Sequence, residues 1–341
     1  MLKGLAKDPD GHALTIFAHR EAEHVVSDLA PAAELRLLDW RHNRGSIRDK
    51  LDPRAHDVLL CPQMGLDPPD PQIPAAAVVP DLIPRLVPQY FSRRARRERE
   101  RLMSDTMAGA TLVLTASEFS RSAILDSYPI APSRVLATPC AVDEEFLRPP
   151  AECSAHMLAG LELPERYVIF PANYWPHKNH AGAIAAFELL ARERPALSLV
   201  LTGAASKDAE RVRALIGSRR LADRIRMVPF QPKAILVEMM RRAEALLFPT
   251  HMEGFGIPIL EAFELGVPVV ASGAGATAEV AGDAALIVNP DSARDIADGV
   301  LRVLDDEQLR RELVRRGRGR AAAYSWERTV TKVIAALRSI A

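Results

Sequence analysis

Two glutamates, Glu253 and Glu261, stand eight positions apart and bracket Gly254, Gly256 and Pro258. The apolar run at 245–248 just before them reads as a strand, and Pro258 suits the first turn of a helix, where its missing N–H costs nothing. A strand, a glycine loop and a helix start aim free N–H groups and the positive end of a helix dipole above the sheet, so a diphosphate belongs there. Glu253 in the loop and Glu261 one turn into the helix then face one ligand from two directions, as acceptors for sugar hydroxyls. The spacing alone leaves a second reading open, in which Glu253 is a loop charge and Glu261 a solvated helix residue.

Residues 171–180, again between a strand and a helix, carry the second candidate, Lys178. A cation near a helix N-terminus opposes the dipole, and a bound polyphosphate would remove the conflict; the alternative is an exposed lysine pointing to solvent. His177 and His180 have no third ligand nearby, so a surface or stacking role is expected and no metal site.

The positioning elements are short apolar runs bounded by turn residues. They lie at 13–17, 33–38, 57–61, 76–79, 111–115 and 134–138, then at 167–170, 197–202, 225–228, 245–248, 267–271 and 285–288. Helical periodicity fills most of the gaps, for example at 181–194, 209–218, 235–243 and 258–265. Such alternation predicts an α/β protein with parallel sheets covered on both faces, arranged as two doubly wound domains. Arg148, Pro149 and Pro150 place the boundary at about 150, giving domains 1–150 and 151–324. Ser325 reads as the N-cap of a terminal amphipathic helix within 325–341.

Hydrophobic residues make up 48% of the 341 and charged residues 26%, which excludes a disordered chain or a disulfide-dense mini-scaffold. Basic and acidic residues number 44 each, so no whole-molecule field draws in nucleic acid or an anionic membrane. Residues 93–101, with arginines diluted by Glu98 and Glu100, read as a solvated helix face with i, i+4 pairs. Cys61, Cys140 and Cys153 are scattered, as expected for reduced thiols. No run approaches the ~20 residues of a membrane helix and the N-terminus shows no signal peptide, so a cytoplasmic location is expected.

The Glu253-x7-Glu261 pattern within EGFGIPILEAFELGVPVVAS closely resembles the retaining glycosyltransferases of the GT4, or group 1, family. The PHKN segment at 176–179, Ala116 to Ser120, Pro80 to Pro84, Glu279 to Ala284 and Tyr324 to Glu327 extend the resemblance over nearly the whole chain. It implies a GT-B fold: two Rossmann-like domains facing a cleft, with a nucleoside diphosphate sugar held mainly by the C-terminal one and the last helix returning to the first. It also implies no metal and no cofactor beyond the donor substrate, and a hexosyl group, mannosyl favoured, moved to a saccharide or lipid-linked acceptor. No nucleic acid is implied, and peripheral contact with the inner face of a membrane is compatible.

Carried over by motif, Glu253 and Lys178 are the catalytic candidates, holding the transferred sugar and the diphosphate. Glu261 is assigned to the ribose, and the amides of Gly254, Phe255 and Gly256, with Ile257 beside them, to the sugar phosphate. Asn173 stands where family members often carry an arginine, and Phe230 lies in the nucleobase wall at 228–231. Pro80 replaces the histidine that many members place before Asp81 and Leu82, so no general acid is assigned there.

Family members begin with a strand and a glycine-rich loop ahead of the segment seen here at Asp10, Gly11 and His12. The N-terminal domain is therefore expected to lack its first, central strand, with the strands at 13–17 and 57–61 bordering the gap. A donor-binding remnant without transferase activity is the alternative this raises. From another enzyme class comes an NAD-dependent oxidoreductase, because residues 273–278 match G-x-G-x-x-A, although Gly282 would cut its helix short.

Overall fold

The computed structural model describes residues 2–6, 12–38, 47, 51–148, 158 and 160–341. The chain forms two compact units, Met1–Cys140 with Ser325–Ala341, and Ala141–Tyr324. The expected boundary at 150 falls on residues 149–157, outside those described. The observed division lies earlier because the helix Glu144–Leu147 packs on the helices Lys233–Arg241 and Ile257–Glu264 of the second unit.

Each expected strand is present, its ends moved by at most three residues. In the first unit these are β1 Thr15–His19, β2 Glu34–Leu38, β3 Leu59–Met64, β4 Ala75–Val78, β5 Leu112–Thr115 and β6 Val135–Ala137. In the second they are β7 Arg166–Pro171, β8 Leu197–Gly203, β9 Ile225–Pro229, β10 Ala245–Phe248, β11 Val269–Ser272 and β12 Leu286–Val288.

The second unit is one parallel sheet in the order β12-β11-β10-β7-β8-β9. Read from its first strand this is the doubly wound order, and it reverses between β7 and β10. Every residue of β8, β10 and β11 is buried, as required of central strands covered by helices on both faces. The helices His180–Glu193 and Ile257–Glu264 follow the two switch-point strands, so the loops 172–179 and 249–256 meet above the same crevice.

The first unit divides differently. β1 pairs in parallel with β2 alone, while β3, β4, β5 and β6 form a separate four-stranded parallel sheet. Among the described residues no ladder joins β1 to β3, and Phe17 of β1 packs on the core of the larger sheet. The terminal helix Trp326–Arg338, capped by Ser325 accepting from the Arg328 amide, buries Val333 against Leu112 and Leu114. That burial holds residues 325–341 in the first unit.

Candidate active site

Backbone conformation forces the shape of both loops. Gly256 caps its helix at φ +98°, a region that an L side chain enters only with strain, and Pro258 follows in the first turn. Asn179 adopts φ +63° as N-cap of the helix His180–Glu193, its Oδ1 accepting from the Gly182 amide at 3.0 Å. Its Nδ2 donates to the carbonyls of Pro249 at 2.9 Å and Pro290 at 2.8 Å, and the His251 amide donates to the His177 carbonyl at 2.8 Å. One side chain thus ties the two switch-point loops together. Sequence reasoning missed Asn179; an asparagine immediately before an apolar-periodic run was the available signal.

These ties set Lys178 against Glu253. Lys178 Nζ donates to Glu253 Oε1 at 2.7 Å and to Oε2 at 2.9 Å, with the side chains 14% and 7% exposed. The ammonium also lies 5.9 Å from the ring centroids of Trp175 and Phe248. The solvent-pointing lysine and the plain loop charge are both ruled out by this burial. The cation's conflict with the helix dipole is relieved inside the protein, by a carboxylate.

Glu261 has a different setting. It lies near Lys233 and Asp143, which bond to one another. Burial, with the Asp143 charge added, pushes the Glu261 carboxyl up to about 7 against the opposing pull of Lys233. The two motif acids therefore answer to different cations, which their spacing did not reveal. Asp143 and Lys233 carried no motif signal.

The remaining expected site residues divide between backbone and side chain. Gly254, Phe255 and Gly256 are buried, and the Phe255 ring stands edge-on to Tyr324 at 5.6 Å, so its amide rather than its ring is available to a ligand. Ile257 is partly exposed at the helix start, and Phe230 is 72% exposed. Trp175, which the sequence analysis did not single out, is 53% exposed beside Lys178. An exposed aromatic costs hydrophobic free energy that a stacked ligand recovers. Asn173 is also exposed, and its Oδ1 accepts from the Ala204 amide at 3.0 Å.

The surface role for the two histidines is corrected: both are buried, and His180 stacks on Phe170 at 4.6 Å and lies 4.8 Å from Tyr174. Burial lowers His177 to about 4 and His180 to about 3, so both rings are neutral near pH 7. The glycines at 273–278 are explained by packing. Gly275, at φ +66°, abuts Glu253, whose carbonyl accepts from the Ala276 amide at 3.0 Å. The helix after them covers only Thr277–Ala281 and ends at Gly282, too short for the dinucleotide fingerprint.

Residues 159–320, which contain Lys178, Glu253 and Glu261, match the family model for glycosyl transferases group 1. The chain is 31% identical over 253 residues to the O-antigen chain mannosyltransferase B of Escherichia coli, covering 74% of this chain and 66% of that protein. The chain belongs to the group 1 glycosyltransferases. It is also 31% identical over 245 residues to a D-inositol 3-phosphate glycosyltransferase of Acidothermus cellulolyticus, covering 69% of this chain and 54% of the relative. The matches span about half to two thirds of the length of these curated relatives.

The same group 1 chain shares the GT-B fold with solved structures. Sucrose-phosphate synthase from Thermosynechococcus elongatus superposes with TM-score 0.79 at 20% identity, over 99% of this chain and 91% of that one. The Anabaena protein HepE, solved with UDP-glucose, gives 0.77 at 18% identity, over 99% and 94%. No described helix is long and apolar enough to cross a membrane.

The Asn179 clip gives a direct test of how the site is built. Asn179→Asp keeps the capping oxygen but sets a carboxylate against two carbonyls. It is expected to cost about 2–3 kcal/mol, at least as much as Asn179→Ala. Urea denaturation of both variants measures this, and an Asp variant as stable as the parent would mean that the Nδ2 bonds hold nothing.

Proposed function

We propose that this chain transfers a hexosyl group, mannosyl the favoured instance, from a nucleoside diphosphate sugar to a saccharide or lipid-linked acceptor hydroxyl. Transfer proceeds with retention and without a metal or further cofactor. The observation that carries the reading is the enclosed Lys178 and Glu253 pair at the carboxyl ends of β7 and β10. Each neutralises the other. A donor's diphosphate competes for Lys178, and sugar hydroxyls then donate to the released Glu253 oxygens. Charge grows on the departing diphosphate, so stabilising it with Lys178 and the preorganised amides of residues 254–256 is the main catalytic task. Front-face attack, with the leaving phosphate taking the acceptor's proton, needs no protein nucleophile. The names of the relatives, one a mannosyltransferase and one acting on an inositol phosphate, support the transferase class and leave the acceptor open.

Glu261 supplies the test. Ribose hydroxyls donate to a carboxylate, so its ionised form is the binding form, and its pKa of about 7 lies inside the working range. Affinity for UDP or GDP is expected to rise by about tenfold from pH 6 to pH 8, following the ionised fraction. Glu261→Gln should bind more weakly and lose the pH dependence. A raised acid pKa also means that the folded state holds a proton the unfolded chain has released. Stability from this group is therefore complete below about 4.5 and falls as pH climbs through about 7. Calorimetric titration across this range checks both enzymes, and a flat wild-type profile would remove the ribose assignment. Proton NMR of the product made from GDP-mannose or UDP-glucose reads the anomeric configuration, and inversion would overturn the mechanism.

A further inference from the structure

The helix Arg93–Gly109 carries two kinds of arginine. Arg94 pairs with Glu98 and Arg101 with Asp105, on the solvated face that the sequence reading expects. Arg93, Arg96, Arg97, Glu100 and Met103 instead follow the i, i+3, i+4, i+7, i+10 spacing of the stripe that a surface helix ordinarily keeps apolar. Here that stripe lines an open cavity of about 580 Å³ within the first unit, with Arg85 and Arg99 also in its wall; Arg96 is half-buried, while Arg85, Arg93, Arg97 and Arg99 stay exposed at its rim. Five arginines therefore face two carboxylates, Asp81 and Glu100.

Those carboxylates are already engaged. Glu100 accepts from Arg85 at 2.7 Å and from the Tyr128 hydroxyl at 3.2 Å, and the Asp81 carboxylate accepts from the Ile83 amide at 2.9 Å. Among the described residues no carboxylate pairs with Arg93, Arg96, Arg97 or Arg99. Arg99 donates to the Met64 sulfur, a weak acceptor, and Arg96 Nε is buried without a hydrogen-bond partner. A buried guanidinium N–H left unmade is costly, and several like charges around one cavity repel. Both costs disappear when a multivalent anion enters. Met64 closes β3, and residues 81–85 follow β4, so the cavity opens at the carboxyl ends of parallel strands, where α/β sheets bind ligands.

We propose that this cavity is an acceptor subsite for a phosphate or diphosphate ester, held by Arg93, Arg96, Arg97 and Arg99. The proposal rests on the transferase reading above and names the chemistry of the acceptor. Guanidinium forks match phosphate oxygens bidentately, and Leu82, Pro84, Pro88 and Met103 supply apolar wall for whatever the phosphate esterifies.

The experiment titrates inorganic pyrophosphate and farnesyl diphosphate into the full chain, into Arg96→Gln/Arg97→Gln and into Arg94→Gln. In the double variant both probes are expected to bind about tenfold more weakly or worse, with Arg94→Gln unchanged. Far-UV circular dichroism and the melting temperature confirm that the double variant is folded, and Arg93→Gln/Arg99→Gln provides an independent pair from the same wall. Tighter binding of farnesyl diphosphate than of pyrophosphate points to a lipid-linked ester, and equal binding to a water-soluble one. Equal pyrophosphate affinity in parent and both double variants would overturn the proposal. So would loss of binding only to phosphatidylglycerol vesicles, since that would make the arginines a membrane face. Parallel titrations with UDP and GDP keep the two readings apart. Absent nucleotide binding with an intact arginine effect refutes the donor site and leaves this subsite standing.

Discussion

Lys178→Met is expected to abolish most transfer, by about 10²–10³-fold in kcat, and to destabilise the chain as well. The first effect follows from the proposed mechanism, in which the lysine stabilises the charge on the departing diphosphate. The second follows from the geometry. Removing the ammonium strands Glu253, 7% exposed, without its counter-charge, and breaking such a buried pair costs about 3–5 kcal/mol. On sequence alone the cation's conflict with the helix dipole pointed to a bound polyphosphate; the lysine's burial against Glu253 gives it a structural partner as well. The double variant Lys178→Met/Glu253→Gln separates the two effects, because neutralising both partners restores much of the stability while transfer stays low. Steady-state kinetics and urea denaturation of the three variants measure this. Restored transfer in the double variant would show that the pair is structural only.

Gly275→Ala is expected to damage the same site from outside the motif. A Cβ there would lie 2.5 Å from the Glu253 carbonyl oxygen, 2.9 Å from its amide nitrogen and 2.7 Å from Met252 Sδ, at a backbone φ of +66°. Two of these contacts are backbone and cannot swing aside, so the loop that presents Glu253 must move. The cost is on the order of 3 kcal/mol from strain and overpacking together. Transfer should fall with stability, because the displaced Glu253 no longer meets Lys178. Gly273→Ala is the control: its Cβ would meet only Ile287 Cγ2, at 3.3 Å, with no positive φ. Thermal melts and kinetics of the pair decide the matter, and equal, mild behaviour would mean that this turn does not position the acid.

The order of the elements was legible because its cause is local. Each strand of the second unit is a short apolar run bounded by turn residues, and several of the following helices carry their own period and cap, as Ser206 before Lys207–Ser218 and Asn179 before His180–Glu193 show. Alternation of the two leaves few arrangements for a parallel sheet, and the doubly wound order is among them. The acids of the glycine loop and Lys178 were legible for the same reason. They sit next to strand ends and helix starts, where chemistry concentrates in such sheets.

The sequence by itself determined the α/β alternation, the two loops with their charged residues, and the resemblance that names the family. Only the tertiary structure decided who neutralises whom. Lys178 and Glu253 are 75 positions apart, and their contact exists because β7 and β10 are neighbours across the switch point and Asn179 bonds one loop to the other. Glu261 meets Lys233 and Asp143 through the packing of three separate helical segments, which no local spacing encodes. The cavity-lining arginines, with Arg96 Nε buried among them, were hidden in a charge run that looked uniformly solvated. Which face of a helix turns to a cavity depends on what the rest of the chain places opposite it. Pairwise charge and burial are long-range properties, and a one-dimensional pattern carries them only when folding brings the partners together.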